Sequence, residues 1–114
     1  MIKRKEEMRL RVREGIRGGN GTIEDLNILE QDETLGKASL FTRFTLDPGD
    51  SIGYHVHTDD AEVYYVLSGE LTVSQPDGDV VLKAGDVAFT ANGEGHSVEN
   101  RTDAPAEMLA VIFA

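Results

Sequence analysis

The sequence predicts an all-β protein, an antiparallel sandwich or barrel. Strand-like segments recur about every ten residues, and no long helical period appears. Turn signals such as Asp47-Pro48-Gly49-Asp50 and Pro76-Asp77-Gly78-Asp79 separate them. Twelve glycines lie among many short apolar runs, which suits a chain that often reverses direction. At 114 residues there is room for one hydrophobic core. We therefore expect one domain over 1–114, with an N-terminal arm or edge strand at 1–21 and the barrel core at 39–113.

The elements follow from local chemistry. Residues 1–14 read two ways: Met8, Leu10 and Val12 alternate with charges, which favours an edge strand, while the Glu and Arg content also tolerates a helix. Gly18-Gly19-Asn20-Gly21 makes a flexible turn. Thr22–Leu29 is a weak strand and Ser39–Leu46 a clear one. Ser51–His57 follows, then the polar loop Thr58-Asp59-Asp60-Ala61. Glu62–Leu67 is rich in Val and Tyr and ends at Ser68-Gly69. Glu70–Gln75 pairs with Val80–Leu82 as a hairpin. Val87–Thr90, His96–Asn100 and Ala106–Phe113 complete the set.

Composition removes several function classes. There is no cysteine, hence no disulfide, no Cys-ligated metal and no thiol nucleophile. Met108–Ala114 is the longest apolar run, far short of a membrane span. No apolar secretory segment opens the chain, so a cytoplasmic protein is the expectation. Net charge is −10, unevenly spread. Residues 1–17 hold seven of the eleven basic groups, namely Lys3, Arg4, Lys5, Arg9, Arg11, Arg13 and Arg17, against Glu6, Glu7 and Glu14. The remainder, with four basic and eighteen acidic groups, stands near −14. Such a body repels a phosphate backbone, so neither nucleic acid nor membrane is an expected partner. The basic arm is expected to lie against the acidic body of its own or a partner subunit.

All three histidines belong to one spaced pattern. His55 and His57 form H-x-H, Glu62 follows five residues later, and His96 stands alone downstream. Neutral imidazole is the commonest metal ligand near neutral pH, and a carboxylate completes an N/O donor set. On a strand, His55 and His57 share a face, with Cα atoms about 6.6 Å apart. That lets both reach one ion. An antiparallel neighbour is expected to present Glu62 beside them, while His96 comes from the opposite side of the core. Four protein donors on an octahedral ion leave two positions open to a small ligand.

The flanking glycines are spaced as well. Gly49, His55, His57, Glu62 and Gly69 are separated by five, one, four and six residues. Gly85, Ala91, Gly93, His96 and Asn100 are separated by five, one, two and three. These two stretches resemble the first and second cupin motifs, with Ala91 where the second usually has proline. The resemblance implies a double-stranded antiparallel β-helix, a jelly-roll barrel, with a mononuclear metal inside one end. It implies His55, His57, Glu62 and His96 as ligands and one divalent ion, manganese or iron before zinc, nickel or cobalt. It also implies a homodimer in which Met1–Arg17 takes part.

The reaction stays open. One expectation is a metal-dependent oxidoreductase or lyase acting on a small oxygen-bearing, carboxylate-like molecule. Another is a ligand-binding or sensing module without catalysis. An oxalate decarboxylase-like lyase or a dioxygenase is a third. The resemblance places a substrate-holding arginine of the oxalate decarboxylases three residues before His55, where this chain has Ile52. Arg43 is a poor substitute, because Leu40, Phe44 and Leu46 mark the inner face of its strand. Tyr64 shares the face of Glu62, Val87 and Phe89 are expected to wall the cavity, and Asp59, Asp60 and Glu94 read as solvated turn residues.

Overall fold

A computed structural model describes residues 1–114. Its strands are β1 (Arg9–Glu14), β2 (Thr22–Asn27), β3 (Ala38–Leu46), β4 (Ser51–Val56), β5 (Ala61–Ser68), β6 (Glu70–Gln75), β7 (Gly78–Lys83), β8 (Val87–Thr90), β9 (Gly95–Glu99) and β10 (Ala106–Phe113). Short 3-10 turns lie at Lys5–Glu7, Ile16–Gly18 and Gln31–Thr34. Every pairing is antiparallel. One sheet runs β1-β2-β3-β10-β5-β8, and the other runs β4-β9-β6-β7. This is the all-β, double-stranded β-helix expected from the sequence. The turn chemistry explains the strand ends. Gly49, Gly69, Gly85 and Gly93 all have positive φ, which costs glycine little.

The core lies between the sheets. Phe44, Leu46, Tyr64, Val66, Met108 and Ala110 come from the larger sheet, and Ile52, Leu71, Val73 and Val98 from the smaller. Alternation holds along β3, where Thr42, Phe44 and Leu46 are buried. Arg43 accordingly lies on the outer face and pairs with Glu107 at 3.1 Å. In β9 and the residue after it, His96, Val98 and Asn100 are buried together. Asn100 ties backbone: its Nδ2 donates to the carbonyls of Leu46 and Ala104, and its Oδ1 accepts from Thr102.

One expectation needs correction. Val87 and Phe89 do not wall the cavity; both are more than half exposed, and Ala88 and Thr90 face inward. On this edge strand the larger apolar side chains point away from the core. The arm forms an edge strand, β1, which pairs along its length with β2. There the apolar alternation is inverted, with Leu10 and Val12 exposed and Arg11 and Arg13 partly buried. The arm does lie on the chain's own acidic groups, through Lys3 to Glu33, Arg9 to Glu30 and Arg11 to Asp25. Asp25 is itself buried, and it accepts from the Thr42 hydroxyl.

Candidate metal centre

β4 and β9 are neighbours, and His55 stands opposite His96 in their register. The pairing slips between Ile52 and His55, a bulge that turns the His55 ring inward. His57 lies just past β4, where its backbone N–H donates to the Glu94 carbonyl and its own carbonyl accepts from the Gly93 N–H. Asp59, with φ 63, then carries the chain across to the other sheet. Glu62 therefore arrives on β5 of the opposite sheet. The four residues meet, as the sequence pattern demanded, but by a different route. His96 is the strand neighbour of His55, and Glu62 is the residue from across the core.

The donor atoms face one another. His96 Nε2 is 3.0 Å from His55 Nε2 and 3.1 Å from His57 Nε2. Glu62 Oε1 is 2.9 Å from His96 Nε2, 3.0 Å from His57 Nε2 and 3.5 Å from His55 Nε2. Donors about 2.1 Å from one ion and at right angles to each other stand about 3.0 Å apart. The spacing fits a single divalent cation, and all four donors lie within 4.8 Å of one another. The cluster is compatible with a divalent metal site.

The far side of each ring reinforces that fit. His55 Nδ1 is 2.8 Å from the Gly53 carbonyl, and His57 Nδ1 is 2.8 Å from Asp60 Oδ1. Both partners are pure acceptors, so Nδ1 carries the hydrogen and Nε2 turns a lone pair inward. His96 Nδ1 is 2.8 Å from the Thr90 hydroxyl, which accepts in the same tautomer. Three lone pairs and a carboxylate oxygen thus converge in a buried space, an arrangement a cation stabilises. Asp60 and Thr90 were missed in the sequence. Asp60 reads as a solvated turn residue, although a carboxylate three residues after a histidine is a usable signal. Thr90 gives none.

Electrostatics follow from this packing. With no cation between them, the imidazoles can instead turn hydrogens toward Glu62: burial pushes its carboxyl up, but hydrogen bonds from His55 and His96 and the nearby imidazole charges outweigh it and hold the group at about 2. The Glu62 hydrogen bond raises His55, against the effect of burial. Burial raises the Tyr64 hydroxyl well above its usual value, with the Glu62 charge adding to it, so this side chain stays a neutral phenol. The Tyr64 ring stacks on His96 at 4.7 Å between centroids and fixes that imidazole. Tyr54 and Tyr65 point outward, as alternation predicts.

Comparison with known proteins agrees with this architecture. The family described as "Cupin domain" matches residues 42–112. An oxalate-binding protein of Thermotoga maritima is 42% identical over 113 residues, covering 99% of this chain and 93% of that protein. The crystal structure of a predicted oxalate decarboxylase from Thermotoga maritima superposes with a TM-score of 0.94 at 42% identity, over 99% of this chain and 98% of the other. The polyketide cyclase RemF of Streptomyces resistomycificus shares the fold, with a TM-score of 0.78 at 21% identity over 99% of this chain and 80% of its own. No helix here is long and apolar enough to cross a membrane. The chain belongs to the cupin family.

Proposed function

We propose that the protein is a metal-binding cupin that takes a small dicarboxylate of the oxalate type at a mononuclear centre held by His55, His57, Glu62 and His96. The observation that supports this reading most is the convergence of three imidazole Nε2 atoms and Glu62 Oε1 at 2.9–3.5 Å, each ring with its Nδ1 engaged behind it. The name of the Thermotoga relative, an oxalate-binding protein, points to the same ligand class. Four N/O donors suit manganese or iron(II), with zinc, nickel and cobalt behind them, and leave an octahedral ion two positions for a chelating carboxylate.

The residues around the cluster favour binding over decarboxylation. A decarboxylase has to return a proton to the carbon that loses carbon dioxide. In the cavity beside the cluster, Glu62 and His55 are the only carboxylate and imidazole, and both belong to the ligand set. Tyr64 is the remaining acid there, and its hydroxyl holds its proton tightly. Elemental analysis of protein purified without added metal, followed by calorimetric titration with oxalate, tests the reading. One equivalent of a divalent ion and saturable oxalate binding are expected. Protein that neither carries nor takes up an ion overturns it, and steady release of carbon dioxide from oxalate replaces the binder with a lyase.

Leu10 and Val12 at one edge of the larger sheet, and Val87, Phe89 and Phe113 toward the other, are exposed apolar side chains. We read this outer face as the surface on which two copies pair. A sedimentation mass equal to one chain refutes the dimer.

A further inference from the structure

Of the cations in the N-terminal arm, Lys3, Arg9 and Arg11 end on carboxylates. Arg13 and Arg17 form no ion pair and no side-chain hydrogen bond. Both line a cavity of about 240 Å³ whose wall also includes His55, Glu62 and Tyr64. The Nε of Arg13 is buried and without a hydrogen-bond partner. Its guanidinium lies 5.6 Å from the centroid of the Phe44 ring. A ring face offsets part of the cost of burying that charge, but it leaves the N–H donors unmet.

Arg17 is held in an unfavourable backbone conformation, φ 53 and ψ 30. Non-glycine residues hold that region only where the surroundings enforce it, and such positions cluster at functional sites. Two glycines do the enforcing. A Cβ at Gly53 would stand 2.1 Å from the Arg17 carbonyl oxygen, and one at Gly19 would stand 2.1 Å from the Ser51 carbonyl oxygen. Without side chains there, the turn lies directly on β4, two residues from His55. Arg17 thereby stands in the same cavity wall as His55, Glu62 and Tyr64.

The charge balance of the cavity follows. Glu62 is the one carboxylate in its wall, and Arg11 is neutralised by Asp25. Two guanidinium groups are left against one carboxylate, before any metal adds its own charge. In a chain of net charge −10, this is a local positive spot inside an acidic body. The volume falls below the range of about 300–1,000 Å³ typical of drug-sized pockets, which selects for a small ligand. Ile52 adds an apolar wall and no charge.

We propose that Arg13 and Arg17 form an anion clamp that holds the carboxylate oxygens of a small dicarboxylate at the mouth of the cavity and sets a preference for dicarboxylates over monocarboxylates. This rests on the reading of the site as a carboxylate-binding metal centre. The guanidinium fork supplies paired donors matched to a carboxylate, which an ammonium cannot reproduce. The test is calorimetric titration of oxalate and of acetate into the manganese-loaded protein and its Arg13→Gln and Arg17→Gln variants, with manganese content measured in each. Oxalate dissociation constants should rise about tenfold or more in each variant, as expected for loss of a charge-assisted hydrogen bond. Acetate binding and manganese content should change little, so the preference for oxalate narrows. Arg17→Lys should recover only part of the loss. Wild-type oxalate affinity in variants that keep their manganese overturns the clamp and leaves the proposed function standing. Wild-type protein that holds manganese but ignores oxalate overturns both. If Arg13→Gln fails to fold, Arg13→Lys and the exposed Arg17→Gln decide the matter.

Discussion

Replacing Thr90 with valine separates a metal centre from a chance cluster of histidines. Thr90 and His96 are both fully buried, and no water can stand in for the hydroxyl that lies 2.8 Å from His96 Nδ1. Valine keeps the volume and removes the acceptor. In metal-free protein the loss is small, because His96 can adopt the other tautomer and give its hydrogen to Glu62 Oε1, 2.9 Å from Nε2. When Nε2 faces a cation, the hydrogen must sit on Nδ1, and there it has no partner. An unmet buried donor costs about 1–3 kcal/mol. That penalty falls on the loaded form, so metal affinity should drop about ten- to a hundredfold, the range usual for groups that orient metal ligands. Competition against a chromophoric chelator measures it, and the melting temperature of the metal-free protein serves as control. Thr90→Ser, which restores the hydroxyl, should recover most of the affinity. Metal binding by Thr90→Val within about twofold of wild type, with the fold intact, would refute the reasoning.

Three further outcomes follow. Glu62→Gln should abolish stoichiometric metal binding, whereas Asp60→Asn, which keeps an oxygen for His57 Nδ1, should weaken it only modestly; unaltered metal content in Glu62→Gln would move the carboxylate ligand elsewhere. Asn100→Ala orphans the buried Leu46 carbonyl and loosens the Thr102–Ala104 loop, a loss of about 2–4 kcal/mol and about 8–16 °C in melting temperature. Calorimetric melting with a shift under about 2 °C would contradict that. The arm should be sensitive to acid. The Arg9 hydrogen bond holds Glu30 low and the Lys3 hydrogen bond holds Glu33 low. Carboxyls depressed in the folded state stabilise docking above their unfolded pKa, about 4.3, and lose that contribution as pH falls through the folded value. Protection of the Arg9–Glu14 amides in hydrogen exchange, corrected for intrinsic rate, should fall in that window and fall further with added salt. Protection unchanged through it would assign the docking to the β1–β2 ladder alone.

The strands were legible because glycine and proline turns bound them, and the ligand quartet was legible because every histidine in the chain belongs to it. What the sequence could not convey was which strand pairs with which. Thr58-Asp59-Asp60 reads as a polar loop whether the chain turns back within a sheet or crosses to the other one. The structure takes the second course, so Glu62 and His96 exchange the places expected for them. Hydrophobic patterning misled at the edges. On β8 both faces carry apolar residues, and the inner one holds the smaller Ala88 and the polar Thr90, so size and polarity pointed the wrong way. Asp60 and Thr90 act on imidazoles from behind, and that role depends on a ring orientation that no local pattern encodes.

β1 carries the strongest conflict between sequence pattern and fold. Alternation alone would bury Leu10 and Val12 and leave Arg11 and Arg13 in water; the strand does the reverse. Two costs arise, apolar surface exposed and cations partly desolvated, and strand pairing alone does not require either of them. Arg11 recovers its share through two hydrogen bonds to buried Asp25. Arg13 recovers little within the chain, since its buried Nε has no acceptor and its guanidinium meets only the Phe44 ring. The inversion is therefore intelligible if each face of β1 is completed by something outside the chain, an anion on the cavity side and a second copy on the outer side. The two completions are separable. Arg13→Gln should weaken oxalate binding without changing the sedimentation mass, and Val12→Glu should split a dimer without changing the oxalate affinity of the metal-loaded protein. If either variant disturbed both properties alike, β1 would be acting through the stability of the sheet rather than through its two faces.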